Sequence, residues 1–415
     1  MKILFDIVII GGGAAGLFAA ATLSKFIGEK NVNFVVLEKG EKCGRKIAIT
    51  GKGRCNVTNT KKWEEFSTHV HPNNLFFKNA FFGMSNGATM NFFEEIGLPL
   101  VEERGDRVFP KSMVAKDVTK CLENFIVSKG GNIECNCNVK AVKVSSDNIF
   151  EVICDGGVNY FAKNVIIATG GLSYPRTGST GDGYLFAKKF GHKVSNCFPS
   201  LTALIPNGYK KDYYGISLKN VSVQLLINGD VVQEEFGDLD FSNGGIEGPI
   251  GFKVSRKAVY NLGNKQKVDL ILDLKPAVSL EKLKERVKRE ISDLKTSSLD
   301  KILKQLLPYK LIPLFLEANK NLCIDNLAFT LKNWKFSIAS NVGYERAVVT
   351  AGGVSLKEIS QKTLESKLVK GLYFVGEVLD LDGDTGGYNL QIAFSTGALA
   401  AVSIIKNLNT KKATK

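Results

Sequence analysis

Ile7 to Ile10 is an unbroken apolar run of strand length that ends in Gly11-Gly12-Gly13, and the small-residue stretch Ala14 to Phe26 after it has the length of a helix. Val32 to Leu37 is a second short apolar run. The first 38 residues therefore read as strand, glycine turn, helix, strand, the repeating unit of a parallel sheet. Similar runs recur at Val139 to Val144, Phe150 to Cys154 and Val165 to Thr169, the last leading into Gly170-Gly171. After Pro199 the pattern becomes alternating: Val221, Val223, Leu225 and Ile227 lead to Asn228-Gly229, a strong short hairpin signal. Lys267 to Leu274 reads as one more strand. Apolar residues then recur at Leu280, Leu283, Val287, Ile291 and Leu294, a helical stripe with Ser279 as its N-cap, and a second stripe runs from Leu299 to Leu307. From about Val342 short apolar strands and glycines return, at Ala347 to Val349 and Leu372 to Val375.

This pattern predicts an α/β fold in which a discontinuous dinucleotide-binding domain, residues 1–198 and 342–415, is interrupted by an insertion. The insertion is expected to comprise a β-barrel-like domain, residues 199–275 and 322–341, and a small helical lobe, residues 276–321.

Composition narrows the class without naming it. Apolar residues make up 44% of the 415 and charged residues 23%, so global disorder is excluded. The net charge of +14 raises nucleic acid, anionic lipid or an anionic ligand as partners. The basic residues fall in three deposits: four Lys in the last ten residues, seven basic groups in residues 41–62, and ten between Lys275 and Lys310. They form no single stripe, and the first and third read as solvated surface. Eight cysteines occur without a CxxC pair, and with His69, His71 and His192 as the only histidines no metal-ligand spacing is present. No signal peptide and no bilayer-length apolar segment are read from the pattern, so a cytoplasmic protein with reduced thiols and no membrane partner is expected.

The chemistry concentrates in the glycines. Gly11, Gly13 and Gly16 fit G-x-G-x-x-G between a strand and a helix. The first allows the tight turn, the second lets the backbone approach a pyrophosphate, and the third brings helix and strand together. Glu38 ends the second strand 22 residues after Gly16, where a carboxylate accepts hydrogen bonds from an adenosine ribose and disfavours a 2′-phosphate, which points to FAD or NAD. The cationic, glycine-rich segment from Cys43 to Asn56 suits a diphosphate or the polar edge of a flavin. Two further motifs close strands or open helices: Ala168-Thr169-Gly170-Gly171, and Gly376-Glu377-Val378-Leu379-Asp380 followed by Gly386-Gly387-Tyr388-Asn389-Leu390-Gln391. Together they resemble the glutathione-reductase-type FAD-binding, Rossmann-like fold, in which the chain's start holds ADP and its last strand and helix cover the flavin.

These motifs, with Gly44-Arg45-Lys46, Gly53-Arg54-Cys55-Asn56 and Thr350-Ala351-Gly352-Gly353-Val354, make the sequence similar over nearly its whole length to the YhiN-like or BaiN-like bacterial flavoproteins. That family is described as NAD(P)/FAD-dependent oxidoreductases or aminoacetone oxidase-like FAD enzymes. Thr50-Gly51-Lys52-Gly53 departs from the more glycine-rich loop of relatives. The resemblance implies noncovalent FAD, with Ala15 and Glu38 at the ADP half, Arg45 and Lys46 near the diphosphate or ribityl chain, and Val139 at adenine through its backbone. Glu377 would bond the ribityl chain, and Asn389, Leu390 and Gln391 would aim N–H groups at the flavin N1/O2 edge, where reduction places negative charge. Ala14, Lys39, Gly51, Arg54, Cys55, Asn56, Thr169, Gly170 and Gly376 complete the expected cofactor shell.

The resulting expectation is an FAD-dependent oxidoreductase that moves a hydride between flavin N5 and a small organic substrate of amine or conjugated-enone type, with NADH or NADPH as a possible electron donor. The insertion is expected to roof the flavin and select the substrate. A fumarate-reductase-like enzyme is an alternative, suggested by Thr180-Gly181-Asp182-Gly183, though it calls for a His/Arg cluster that three histidines supply poorly. A flavin-containing binder of RNA or another polyanion is the second alternative; no aromatic-interleaved basic stripe favours it, and nucleic acid ranks low as a partner. No catalytic acid or base is assigned. Tyr388 is a candidate that packing explains equally well, and Cys55 beside Arg54 reads as a small packing residue before it reads as a thiolate. Oligomeric state is left open.

Overall fold

A computed structural model describes residues 4–30 and 32–413. The chain divides into two compact units, one formed by residues 1–198 and 349–415 and the other by residues 199–348. The return to the first unit thus comes at Val349 rather than at 342, and the helical stretch 276–321 belongs with the barrel instead of forming a lobe of its own.

The first unit is organised by a seven-stranded sheet. Leu4–Ile10 lies between Phe34–Leu37 and Asn159–Ile167 and is parallel to both, and Asn132–Glu134 extends the sheet beyond Phe34–Leu37. Asn159–Ile167 changes partner along its length. Its first half pairs antiparallel with Phe150–Cys154, which in turn pairs with Val139–Val144, and its last three residues pair parallel with Leu372–Phe374. The sequence pattern located only the second, continuously apolar half of this strand. The first half, one face of it wet, alternates instead.

Register is what positions the site. Ile10 pairs with Leu37 and with Ile167, and Ile167 pairs with Phe374. These four residues form one row at the carboxyl edge of the parallel strands, so the residues just beyond them (Gly11, Glu38, Ala168 and Val375) emerge side by side. Open α/β sheets bind ligands at that edge. The first helix, Ala14–Ser24, is buried from Ala15 to Ser24 and so carries no polar face. It crosses the closing helix, Tyr388–Ala413, so tightly that a Cβ on Gly397 would stand 2.4 Å from the Ala15 carbonyl oxygen. The closing helix corrects one expectation. Tyr388–Leu408 is long and apolar enough to cross a membrane, yet 78% of that window is buried within the fold, as a core helix is. Of the lysine-rich tail, residues 414–415 lie outside the described part.

The second unit is a closed six-stranded barrel, in the order Leu204–Pro206, Gly245–Glu247, Asp230–Ser242, Ile216–Ile227, Val268–Asp273 and Trp334–Asn341. Asn228 and Gly229, at φ 54° and 102°, make the hairpin turn that their dipeptide predicts. The helix Leu280–Leu294 starts where the stripe places it, with the Ser279 hydroxyl accepting from the Lys282 amide at 3.3 Å.

Candidate functional site

At the carboxyl edge of the sheet the glycine turn is held from both sides. The Gly11 amide donates to Leu37 O at 2.8 Å, and the Gly12 amide donates to Glu38 Oε2, also at 2.8 Å. Glu38 is buried, and its other oxygen accepts from the Gly40 amide at 2.8 Å, so two main-chain N–H groups fix the carboxylate over the turn. The glycines differ in what they exclude. A Cβ on Gly11 would lie 2.5 Å from Ala168 O, and one on Gly16 only 1.9 Å from Gly11 O, so both are packing glycines. A Cβ on Gly13 would meet nothing within 4 Å. Gly13 is the N-cap of the first helix and caps nothing with a side chain, so the helix presents free amides, including those of Ala14 and Ala15, to an open cradle.

The basic segment runs from this turn toward the last strand. Lys46 Nζ meets Glu377 Oε2 at 2.7 Å, both side chains being about one-fifth exposed, and Glu377 Oε1 accepts from the Thr350 amide at 2.8 Å. Arg45 donates to Arg176 O at 2.6 Å, and Lys39 reaches Asp182 at 2.7 Å. Gly376 takes φ 72°, and a Cβ there would strike Ala15 Cβ at 2.7 Å, so the end of the last strand lies directly on the start of the first helix. Gly170, at φ 71°, faces Ser179 and Glu377. Val139 is buried and paired with Cys154, two residues beyond Cys137, whose amide donates to Glu38 O. Gly51 turns the chain at φ 56°.

Two of the buried polar atoms without a partner belong to residues of the predicted cofactor shell. Asn56 Oδ1 and Thr169 Oγ1 are both buried without a hydrogen-bond partner. With the open cradle at Gly13, the free helix amides and the carboxylate at the ribose position, these residues fit FAD.

The closing helix begins with Gly386 and Gly387 at φ 126° and 98°, where a Cβ on Gly387 would collide with Thr58 O at 2.4 Å. The Asn389 side chain reaches back to the Gly383 amide and to Gly383 O, at 2.8 and 2.7 Å, which fixes the entry loop. The amides of Asn389 and Leu390 have no acceptor within the helix, as its first-turn geometry requires. Gln391 does not share that role: its amide donates to Gly387 O at 3.2 Å. Its fully buried side chain is saturated by Thr58, Met84 O, Thr89 and Ser395, so it is a structural lock. Arg54 also turns elsewhere, pairing with Glu103 at 3.0 Å and lying over the Phe109 ring. Cys55 is fully buried with its thiol pushed up to about 12 by desolvation, a thiol that packs rather than reacts.

Sequence reading missed one constellation. His69 Nδ1 and His71 Nε2 lie 2.8 and 3.0 Å from the two oxygens of Asp384. A short bridge joins their segments, with His71 opposite Asp382 and Val70 opposite Gly383, and the His69 ring stacks on Tyr388 at 4.4 Å between centroids. Burial works to raise the Asp384 carboxyl, but hydrogen bonds from His69 and His71 outweigh it and bring it down to about 2. Separations of 315 and 313 residues hid this grouping, although His-x-His ahead of a proline loop was its one local trace. Among the described residues no group of His, Cys, Asp and Glu has metal-binding geometry.

Residues 5–403 match the HI0933-like protein Rossmann domain family. The chain belongs to that family. It is an FAD-dependent oxidoreductase built on the Rossmann-type fold that the motifs predicted. Similar proteins include a ribosomal RNA dihydrouridine synthase of Haemophilus influenzae, 33% identical over 96% of this chain and 98% of that one. A 3-dehydro-bile acid delta(4,6)-reductase of Clostridium scindens is 31% identical over 94% of this chain and 97% of that one. Among solved structures, 3-ketosteroid delta1-dehydrogenase of Sterolibacterium denitrificans aligns with a TM-score of 0.53 at 13% identity, covering 97% of this chain and 100% of that one, which speaks for the fold alone.

Proposed function

We propose that this protein reduces a carbon–carbon double bond conjugated to a carbonyl, and that its substrate is a uridine in ribosomal RNA, reduced to dihydrouridine. The observation that carries the reading is the chemistry shared by the two full-length relatives. A 3-dehydro-Δ4,6 bile acid and a uracil ring both present C=C in conjugation with C=O. Reduction of each adds a hydride at the carbon remote from the carbonyl and a proton next to it. RNA is favoured over a steroid by the net charge of +14, suited to phosphate contacts spread over a folded RNA. The missing aromatic stripe does not weigh against this, because an enzyme that extracts one base from folded RNA needs a pocket for that base, not a platform for a run of them.

When bound, FAD supplies the hydride. Within the chain, Gly13 and the free amides of the first helix would hold the pyrophosphate, Glu38 the adenosine ribose, and Lys46 with Glu377 the ribityl side. The Asn389 and Leu390 amides would meet the anionic edge of the reduced ring, favouring reduction. The cofactor is held without a covalent bond, and NADH or NADPH would restore its reduced form.

Anaerobic incubation of the yellow protein with NADPH or NADH and unmodified ribosomal RNA, followed by digestion to nucleosides, should give a uridine two mass units heavier. A parallel reaction offers a 3-keto-4,6-diene steroid. Product from the steroid and none from RNA overturns the RNA assignment in favour of a bile-acid-type substrate. A protein that stays colourless with added FAD overturns both. The fumarate-type alternative is disfavoured because the one histidine cluster commits a ring nitrogen of each histidine to Asp384 and includes no arginine.

A further inference from the structure

Reduction of a conjugated double bond consumes a proton as well as a hydride, and the reading above leaves its source unassigned. A donor must titrate near neutrality, expose an N–H or O–H, and recharge from water. Most candidates in the cofactor-binding unit fail one of these conditions. The Cys55 thiol is pushed up to about 12 by burial. The Tyr388 hydroxyl is raised further still, by burial and then by the charges of Asp384 and Asp106. His192 is buried, with Nε2 on Ser366 and Nδ1 3.3 Å from Glu358.

His69 and His71 carry the proton-transferring imidazole side chain, each with one ring nitrogen left open and access to solvent. Each gives one ring nitrogen to the same Asp384 carboxylate, at 2.8 and 3.0 Å, which fixes both rings and leaves His69 Nε2 and His71 Nδ1 pointing away from it. The imidazoles are 21% and 31% exposed, while the carboxylate between them is 19% exposed. The charged and titratable groups around the pair are Asp384 itself, Asp382 opposite His71 on the bridge, and Tyr388 under the His69 ring, with Asp106 acting on Tyr388. The cluster is rigidly placed at the first turn of the closing helix: Asn389 Nδ2 donates to Asp384 O at 3.2 Å, and the Asp384 amide donates to His69 O at 3.0 Å. An ionised carboxylate behind an imidazole stabilises the imidazolium form and holds it in one orientation, which is the arrangement of a general acid.

We propose that His69 and His71, anchored by Asp384, are the proton-delivering pair of this reductase. The assignment rests on the reduction of a conjugated double bond inferred above. Bound FAD would supply the hydride to the carbon remote from the carbonyl, and the π pair of the double bond would shift toward the carbonyl oxygen. The outward imidazolium N–H then breaks, its proton forms the new C–H bond next to the carbonyl, and the electron pair stays on nitrogen. Water would reprotonate the imidazole, and a reduced nicotinamide would be the source of the electrons.

The test uses the full-length, FAD-loaded protein. Imidazole resonances are titrated by NMR with the flavin oxidised and after reduction by dithionite. Negative charge gained by the flavin should raise the midpoint of His69 or His71 by about half a unit or more, with His192 as an internal reference that stays put. His69→Gln, His71→Gln and the double variant should keep wild-type FAD content, and the double variant should lose about 100-fold or more in kcat with KM little changed. Added imidazole should restore part of the activity of His69→Ala, a rescue that a packing role would not allow. Midpoints of both histidines indifferent to flavin reduction would overturn the proposal while leaving FAD binding and the reductase reading intact. Absence of FAD from the purified protein would remove the reductase reading itself, and this proposal with it.

Discussion

The cradle at Gly13 makes a prediction that separates cofactor binding from folding. A Cβ at Gly13 meets no atom within 4 Å, and the residue sits at φ −83°, ψ −167°, which any amino acid adopts. Gly13→Ala therefore introduces no clash in the apoprotein. The loss of a favourable glycine N-cap, about 1 kcal/mol, is offset in part by the ~0.4–1 kcal/mol gained from a stiffer unfolded chain, so apoprotein stability should change by about 1 kcal/mol or less. FAD sees a larger change, because the methyl group occupies the space through which a phosphate reaches the helix amides. Losing one charge-assisted hydrogen bond, worth ~1.5–3 kcal/mol, weakens affinity roughly 10- to 150-fold. Gly16→Ala is the contrasting control: its Cβ would lie 1.9 Å from Gly11 O, and the apoprotein itself should unfold at much lower denaturant. Urea midpoints of both apoproteins, with FAD titrated by flavin fluorescence, give the answer. If Gly13→Ala binds FAD as tightly as the wild type, the phosphates do not lie in this cradle.

Glu38→Ala should lose both stability and FAD, since it strips the Gly12 and Gly40 amides of their shared acceptor at a cost of about 1–3 kcal/mol each; thermal melts with and without FAD should show a lower Tm in both states. Cys55→Ala should leave flavin reduction unchanged, and in the native protein at pH 8 mass spectrometry should find iodoacetamide on the exposed Cys323 but not on the buried Cys55. Asp384→Asn should destabilise the fold by about 2 kcal/mol at pH 7, because a carboxyl lowered from 3.8 to about 2 contributes stability above its unfolded value. That difference should shrink as pH falls below 3.8 and vanish below about 2; a difference that persists unchanged at pH 2 would refute the ion pairing.

What the sequence showed and what it hid divide along a physical line. The glycine turn was legible because the demand for bare backbone at Gly11 and Gly16 is local, and Glu38 was legible because a parallel strand of known register ends beside the turn. The closing helix was recognisable from Gly386 and Gly387, but its apolar length was underestimated, since the small residues between Phe394 and Ala401 that let it cross the first helix do not stand out as a hydrophobic run. The return point at Val349 and the union of the helical stretch with the barrel depend on tertiary packing that no periodicity records. The His69–Asp384–His71 group was invisible for a stronger reason: no local rule links residues more than 300 apart.

That separation is general to the site. Lys46 meets Glu377, Thr58 meets Gln391, Asn59 meets Gly386 O, and His69 meets Asp384, so the segment from 46 to 69 is laid along the segment from 377 to 391. These contacts tie side chains of one segment to the other, and Gln391 is the extreme case, with its side-chain amide fully spent inside the fold. What this leaves free is main chain: the amides beyond Gly13 and those of Asn389 and Leu390. Side chains thus hold the frame, and unbonded main-chain amides stand at the starts of the first and closing helices. A frame of that kind can be kept while most side chains change, which fits relatives 31–33% identical over nearly full length with such different substrates. Substrate choice must then come from side chains outside the frame. Among the described titratable groups at the closing helix, the two histidines on Asp384 combine an unspent nitrogen, solvent access and a fixed orientation.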